Sequence, residues 1–369
     1  MPTQYHAEHV GSLLRPDYLL QAREAHEKGE LSTEGLREAE DRAITELIAI
    51  QQQAGLAVFT DGEARRESWR AGLMESLDGV EPASRTLRWY RNGKELSPEE
   101  TLSDGVAAVA TVSRKQDLTG VEASFMAARA PGMFKITMIS ASMGGMIWDR
   151  ERSSAVYPTP SDLIADLTAL QIEEIDGLAR QGVRWVQLDS LSYNQVMDPG
   201  ATSSTRSAFG PEQVLEAAVS VDGAVVSAVK REHPDLTVGM HICRGNYRSS
   251  WLAQGGYEPV AERLFNEVPV DRFLLEYDTE RAGGFEPLRF VPPGPTVVLG
   301  LITTKVPQLE DRDELLRRID AAARYVPLEQ LALSPQCGFA SGSLGNLITV
   351  DDERRKLDLV VSVARQVWG

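Results

Sequence analysis

Short apolar runs alternate along this chain with longer segments in which apolar residues recur every three or four positions. Eight runs have the length of buried strands: 5–10, 56–60, 134–140, 183–188, 236–243, 272–275, 296–302 and 331–334. The segments between them have the spacing of amphipathic helices, as in the stripe Leu36, Ala39, Ala43 and Leu47. Strands that alternate with helices form a parallel sheet covered by helices. Eight repeats predict one domain over residues 1–369, a (β/α)8 TIM barrel.

A doubly wound open sheet is the alternative architecture. Such sheets bind dinucleotides through a Gly-x-Gly-x-x-Gly turn after the first strand. The first predicted strand here is followed by Gly11-Ser12-Leu13-Leu14, which lacks that pattern. The sequence therefore favours the closed barrel.

Residues from about 70 to 130 interrupt the alternation. Within them, 87–96 reads as two short strands around Asn92-Gly93, a dipeptide typical of a type I′ hairpin turn. We therefore expect an insertion of about 70–130 that contains a β-hairpin and extends from the barrel.

The composition and net charge of the chain argue against several classes of function. The chain has 369 residues, of which 42% are hydrophobic, and a formal net charge of −16, which argues against a nucleic-acid surface. The sequence shows no apolar stretch long enough to cross a membrane. Met1–Gln4 does not begin a basic region followed by an apolar one, so no signal peptide is expected. These features predict a cytoplasmic protein that binds neither nucleic acid nor membrane.

The chain contains two cysteines, one at the end of a predicted strand and one shortly after another. His241 and Cys243 are two residues apart, so on a strand they point to the same face. Cys337 follows the eighth strand, and the carboxyl ends of barrel strands carry the active site. Imidazole and thiolate are ligands that suit zinc. Two unrelated buried thiols are the alternative interpretation.

A carboxylate at the end of the sixth strand would complete a four-ligand site. Glu276 is the first candidate and Asp278, on the same strand face, is the second. Two thiolates and a carboxylate give the ligands a charge of −3 against the +2 of zinc. Such a metal is a weak Lewis acid toward water but is suited to holding a thiolate, which is the reactive form of a thiol.

Four segments resemble the catalytic half of cobalamin-independent methionine synthase: 9–16 (HVGSLLRP), 61–66 (DGEARR), 241–246 (HICRGN) and 334–339 (SPQCGF). The resemblance implies a (β/α)8 barrel whose zinc activates a thiol for alkyl transfer. It assigns the zinc ligands to His241, Cys243, Glu276 and Cys337, and the catalytic role to the His and the two Cys.

The same resemblance implies how an amino-acid thiol is held. Gly11 and Ser12 would meet its carboxylate, and Glu63 and Asp189 would bind its ammonium group. Charge-assisted hydrogen bonds of this kind are strong. A salt bridge to Arg65 or Arg66 is the alternative role for Glu63. The function predicted is zinc-dependent methyl transfer to homocysteine, giving methionine.

Two departures from the synthase leave the methyl donor open. Full synthases are about twice as long, with a second barrel ahead of the catalytic one, and the loop after Asp189 differs in sequence. A methylated folate and a corrinoid carrier are both possible donors. Transfer to another thiol or from another electrophile, as in epoxyalkane:coenzyme M transferase, is an alternative, for which cations are available: Arg15, Arg65, Arg66, Arg244 and Lys305. A non-catalytic zinc-binding barrel is a further alternative.

Overall fold

The computed structural model describes residues 5–84, 87–101, 104–198 and 210–369. Met1–Gln4, on which the expectation of no signal peptide depends, lies outside these residues. The strands are β1 Val58–Phe59, β2 Leu77–Ser84, β3 Tyr90–Arg91, β4 Lys94–Glu95, β5 Asp104–Arg114, β6 Met133–Phe134, β7 Ile136–Ile139, β8 Trp185–Ser190, β9 Thr237–Ile242, β10 Arg272–Glu276, β11 Thr296–Ile302 and β12 Leu331–Pro335. The helices are α1 Asp17–Glu27, α2 Thr33–Ala54, α3 Ala71–Met74, α4 Leu118–Arg129, α5 Arg150–Ser153, α6 Pro160–Arg180, α7 Asn194–Met197, α8 Pro211–Glu232, α9 Glu258–Glu267, α10 Arg312–Ala322 and α11 Val350–Trp368.

Parallel pairing between neighbouring strands forms a barrel. Strands β12, β11, β10, β9, β8 and β7 are neighbours in that order, and β6 continues the ring to β1. On the other side Ala7 pairs in parallel with Leu333 of β12. Hydrogen bonds from Thr60 Oγ1 to the Gly11 carbonyl, 2.7 Å, and from the Leu13 N–H to the Gly62 carbonyl, 3.1 Å, join the first and second segments. The predicted TIM barrel is confirmed.

The first predicted strand is less regular than its sequence suggests. Residues 5–10 form a single bridge at Ala7 rather than a ladder. Buried side chains bind the backbone carbonyl groups of the next residues. Lys135 Nζ donates to the His9 carbonyl at 2.6 Å, and Gln187 Nε2 donates to the Val10 carbonyl at 2.9 Å. The segment is therefore fixed inside the barrel by buried side chains as well as by its short bridge to β12.

The predicted helices form, and local signals set most of their ends. Ser32 caps α2 by accepting the Gly35 N–H, and Gly55 ends that helix at a φ of 84°. The cap of α6 is Thr159: Pro160 occupies the first helical turn, and Asp162 completes a capping box with Thr159.

The region 70–130 holds a small antiparallel sheet and the predicted hairpin. Strand β2 pairs with β5, and β3 pairs with β4 across Asn92 and Gly93, whose φ angles are 52° and 74° as a type I′ turn requires. The hairpin is bound to the loop after β9 by hydrogen bonds between the backbones of Tyr90 and Trp251, at 2.8 and 2.9 Å. Helix α4 packs beside β7 and α6, so the end of this region covers the barrel wall.

A buried ion pair connects this helix to the loop after β1. Arg66 Nε donates to Glu122 Oε1 at 2.7 Å, and a second guanidinium nitrogen lies 2.5 Å from Oε2, with both side chains at most 3% exposed. We expect Glu122→Ala to lower the free energy of unfolding by about 3–5 kcal/mol, because an unpaired buried charge remains. Urea denaturation measures this. The exposed pair of Lys28 and Glu24 is the control, and Glu24→Ala should cost less than about 1 kcal/mol; equal losses would contradict the prediction.

Glu353 of α11 holds the loop after the first segment by accepting the Leu14 N–H at 2.8 Å. Burial raises the pKa of its carboxyl from 4.5 to about 8. Between these values the folded state keeps a proton that the unfolded state has lost, so stability falls as pH rises from about 4.5 to 8. We expect Glu353→Gln to remove this contribution, at most about 1.4 kcal/mol per pH unit. Denaturation at pH 5 and pH 8 measures it; an unchanged pH slope would refute the assignment.

Candidate active site

Three soft or borderline ligands converge where β9 and β12 end. The ligand atoms of His241, Cys243 and Cys337 all lie within 4.8 Å of one another, and all three residues are buried. The two sulfur atoms are 3.8 Å apart and the cysteines are not joined in a disulfide. The structure thus places together the three residues that the sequence singled out.

The imidazole of His241 is oriented by the neighbouring strand. His241 pairs in register with Leu274 of β10 and with Asp189 of β8. Its Nδ1 lies 3.2 Å from the Leu274 carbonyl, so Nδ1 carries the proton and donates it there. Among the described residues, Nε2 is buried without a hydrogen-bond partner. A buried nitrogen lone pair without a partner suits a metal ligand.

The sulfur atoms of the two cysteines are hydrogen-bonded to each other. The hydrogen bond between them raises the pKa of Cys243 well above its usual value and lowers that of Cys337 well below it. Two sulfurs and one free imidazole nitrogen form a donor set typical of zinc, so the residues present fit this metal.

Glu276, the predicted fourth ligand, lies at the end of β10 with both carboxylate oxygens engaged. Oε2 accepts the Arg244 N–H at 2.8 Å, and Oε1 is 2.6 Å from an Arg281 nitrogen. Burial raises the pKa of this carboxyl, but Lys305, Arg281 and Arg244 outweigh burial and lower it to about 2. The carboxylate is ionised and is not part of the 4.8 Å group.

Asp278 is not part of that group either. It lies 3.5 Å from Arg281, and its Oδ2 has no partner among the described residues. Both carboxylates therefore share the Arg281 cation, and the choice between Glu276 and Asp278 as the fourth ligand stays a prediction.

A pocket of about 450 Å³, counted with its open mouth, lies over the three ligands. Six of the predicted site residues line it: Ser12, Glu63, Asp189, His241, Cys243 and Cys337. Gly11 and Glu276 do not. Among the described residues of its lining, none is Arg or Lys. The candidate cations for a sulfonate thiol therefore do not line the pocket, although Lys305, whose buried Nζ has no partner among the described residues, is close enough to lower the pKa of Cys337.

The Glu63 carboxylate is held in a strained loop. Its φ is 56°, in the left-handed region, and its N–H donates to Asp61 Oδ1 at 2.9 Å. Thr137 donates to Oε1 at 3.0 Å, while Oε2 has no partner among the described residues. Burial raises the pKa of this carboxyl.

The alternative role for Glu63, a salt bridge to Arg65 or Arg66, does not occur. Arg65 pairs with Glu40 and Asp41, and Arg66 pairs with Glu122. Glu63 therefore lines the pocket with one carboxylate oxygen, Oε2, that has no partner among the described residues.

Gly11 and Ser12 follow the first segment and connect it to the rest of the site. A Cβ on Gly11 would lie 2.8 Å from Thr137 and 2.9 Å from Glu63, so the position has no room for a side chain. The Ser12 carbonyl accepts the Phe339 N–H at 2.9 Å, and its hydroxyl accepts the Ala340 N–H at 3.3 Å. These bonds join the first segment to the loop that carries Cys337.

Asp189 reaches the pocket from β8, beside His241. Gln187 Nε2 donates to its Oδ1 at 2.9 Å, and Gln187 in turn accepts from the buried Lys135, 2.7 Å. Burial raises the pKa of Asp189 to about 7. The pocket thus has two buried acids on neighbouring parts of its wall, Glu63 and Asp189.

Sequence reasoning missed several lining residues, among them Trp69, Trp89, Asn246 and Ser341. Asn246 Nδ2 donates to the Gly338 carbonyl at 2.8 Å and to Ser341 Oγ at 3.2 Å, which ties the two cysteine loops together. Asn246 belongs to the 241–246 motif, so that motif could have pointed to it. Trp89 lies in the hairpin region. No local sequence pattern predicted where that region packs against the barrel.

Comparison with known proteins identifies the family. The family described as cobalamin-independent synthase, catalytic domain, matches residues 7–366. The chain belongs to this family. The uncharacterized protein YxjH of Bacillus subtilis is 36% identical over 99% of this chain and 95% of its own. A methionine synthase of Saccharolobus solfataricus is 25% identical over 89% and 86%.

Solved structures of the family agree with the fold. A putative vitamin-B12 independent methionine synthase from Listeria monocytogenes superposes with a TM-score of 0.74 at 30% identity, over 99% of this chain and 98% of its own. A B12-independent methionine synthase from Shewanella, in complex with selenomethionine, gives the same TM-score at 19% identity, over 98% and 97%, which shows the fold alone.

Membership of this family makes the chain a methionine-synthase-like enzyme and a transferase. Among the described residues, no helix has the length and apolar character to cross a membrane.

Proposed function

We propose that this chain is a zinc-dependent methyltransferase that methylates the thiol of homocysteine and so produces methionine. One observation carries the proposal: the buried group of His241, Cys243 and Cys337 lies under a pocket walled by Glu63 and Asp189. A neighbour of the same fold is described in complex with selenomethionine, an analogue of that product.

Each part of the pocket has a role in this reaction. His241, Cys243 and Cys337, with Glu276, would hold zinc; zinc supplies a lowered thiol pKa and a fixed position for the sulfur. Glu63 and Asp189 bind the ammonium group of homocysteine, and the Ser12 hydroxyl with the backbone at Gly11 binds its carboxylate. The thiol gives its proton to water, and its sulfur forms a bond to the methyl carbon. The bond between that carbon and the donor breaks, and the electron pair leaves with the donor.

The alternatives are less well supported by the lining. A sulfonate thiol of the coenzyme M type calls for cationic partners, and none lines the described pocket. A purely structural zinc site would close all four positions with protein ligands. Here the Glu276 carboxylate is also bound to Arg281, so Glu276 would be the weakly held ligand that a substrate thiol displaces. A methylated folate and a corrinoid carrier remain the donors that family resemblance implies.

Cobalt replacing zinc tests thiol binding directly. We expect the visible absorption spectrum of the cobalt protein to change when homocysteine is added, because a new sulfur ligand joins the metal. Addition of homoserine, which has a hydroxyl in place of the thiol, is the control and should leave the spectrum unchanged. If no thiol changes the spectrum, the catalytic interpretation is wrong and the structural one stands.

A further inference from the structure

A single buried amide joins two parts of the proposed substrate site. Gln187 lies on β8 two residues before Asp189, so both side chains point to the same face of the strand. Its Nε2 donates to Asp189 Oδ1 and to the Val10 carbonyl, both at 2.9 Å. Val10 comes directly before Gly11 and Ser12. One planar amide group thus holds both the acid proposed to bind the ammonium group and the segment proposed to bind the carboxylate.

The orientation of this amide is fixed by its surroundings. The Val10 carbonyl can only accept a hydrogen bond, and the Lys135 ammonium group can only donate one. Lys135 Nζ lies 2.7 Å from Gln187 Oε1, so the carbonyl end of the amide faces Lys135 and the N–H end faces Asp189 and Val10. Both Gln187 and Lys135 are buried. The amide therefore cannot rotate without leaving a buried polar group unpaired, which is costly.

Lys135 is held in turn by the first segment. Its Nζ donates to the His9 carbonyl at 2.6 Å and lies 3.9 Å from Glu8 Oε2, while Glu8 Oε1 accepts from Arg272 Nε at 3.1 Å. The side chains of Glu8, Lys135 and Arg272 are all fully buried. These contacts form one continuous network from Arg272, at the start of β10, to Asp189, near the end of β8.

Gln187 itself does not line the pocket, whereas Asp189 and Ser12 do. Both N–H bonds of its side chain are used, and its oxygen accepts from Lys135. The Gln187 amide therefore acts on a bound thiol through the groups that it holds in place.

We propose that Gln187, oriented by Lys135, is a positioning residue that sets the separation between Asp189 and the segment of Gly11 and Ser12, and so makes the site selective for thiols that carry both an ammonium group and a carboxylate. The inference rests on the proposed function and adds the residues that determine its specificity. A thiol bound by its sulfur meets both groups at once only if their separation matches that of an α-amino acid. Placing both groups rigidly in advance lowers the entropy cost of binding.

Thiol affinity of the cobalt-loaded protein tests this inference without a methyl donor. Three thiols are titrated and followed by the visible spectrum: homocysteine, 4-mercaptobutanoate, which lacks the ammonium group, and 3-mercaptopropylamine, which lacks the carboxylate. Gln187→Glu keeps the shape of the side chain and an acceptor for Lys135, but a carboxyl group has at most one O–H and cannot donate to both Asp189 and Val10. We expect it to weaken homocysteine binding by about 10- to 100-fold, the contribution of one misplaced charged hydrogen bond. Binding of the two analogues, which need one group only, should weaken by less than about 3-fold.

A second variant and a matched control separate positioning from general support of the fold. Gln187→Met, which has no side-chain N–H, should give the same pattern as Gln187→Glu. Gln171→Met is the control, because Gln171 is a buried amide that joins the Ile139 carbonyl and the Ala141 N–H outside this pocket, so all three affinities should stay unchanged. Unchanged homocysteine affinity in the Gln187 variants, or equal weakening of all three thiols, overturns this inference and leaves the proposed function standing. No spectral change with any thiol on the wild-type protein overturns both.

A double variant tests the role of Lys135. Lys135→Met should weaken homocysteine binding by a similar factor, because the Gln187 amide loses the donor that orients it. Combined with Gln187→Met it should weaken binding no further, since the two residues act through one another. Additive losses in the double variant would overturn the role given to Lys135. Circular dichroism and urea denaturation of each variant ensure that folded proteins are compared.

Discussion

Zinc is expected to be lost from the Cys337→Ser protein, together with methyl transfer to homocysteine. Cys337 supplies one of the three ligand atoms that lie within 4.8 Å of one another, and a serine hydroxyl stays protonated and binds zinc weakly. Changing a residue that merely supports a ligand already costs 10–100-fold in metal affinity. The loss of a ligand should therefore lower zinc affinity by more than about 100-fold. Metal analysis after dialysis and competition with a chelating dye measure this.

Ser334→Ala is the control for the Cys337 variant. Ser334 is also buried near the end of β12, but its hydroxyl donates to the Pro335 carbonyl and it does not line the pocket. It should keep its zinc. Circular dichroism of both variants separates metal loss from unfolding. Full zinc occupancy in Cys337→Ser would refute the ligand assignment.

Measuring zinc affinity also decides which of the two carboxylates, Glu276 or Asp278, is the fourth zinc ligand. Glu276→Gln keeps the shape of the side chain and should weaken zinc binding, whereas Asp278→Asn should not. Both acids contact Arg281, so a general effect of disturbing that arginine would appear equally in the two variants. A loss confined to Asp278→Asn would transfer the assignment to that residue.

Regular features of the fold could be predicted from the sequence because they depend on local rules. Alternating apolar runs gave the barrel, and Asn92-Gly93 gave the hairpin turn. His241 and Cys243 could be placed on one strand face because strand periodicity fixes the direction of side chains.

Contacts between distant segments could not be predicted in the same way. The first segment looks like a strand, but Lys135 and Gln187 bind its carbonyl groups from across the barrel. Trp89 reaches the pocket because the hairpin pairs with Trp251, about 160 residues later, and no residue near Trp89 encodes that partner. The salt bridge of Glu276 to Arg281 likewise depends on how the loop after β10 folds back.

We expect Glu63→Gln to raise the KM for homocysteine by about 10- to 100-fold and to change kcat much less. The Glu63 Oε2 atom is buried, has no partner among the described residues and lies in the pocket wall, so an ammonium group is the partner that fits it. A hydrogen bond to a charged group contributes about 1.5–3 kcal/mol, which corresponds to this range of KM. Steady-state kinetics with homocysteine at saturating donor concentration measure the change.

An analogue without the amino group makes the Glu63 prediction specific. The substrate 4-mercaptobutanoate has the thiol and carboxylate of homocysteine but no ammonium group, so wild type should bind it weakly and Glu63→Gln should weaken it no further. This double comparison isolates the contact between the carboxylate and the ammonium group. Glu353→Gln, another buried Glu but outside the pocket, should leave both KM values unchanged. If Glu63→Gln weakens both substrates equally, then Glu63 supports the loop rather than the substrate, and recognition of the ammonium group belongs to Asp189 alone.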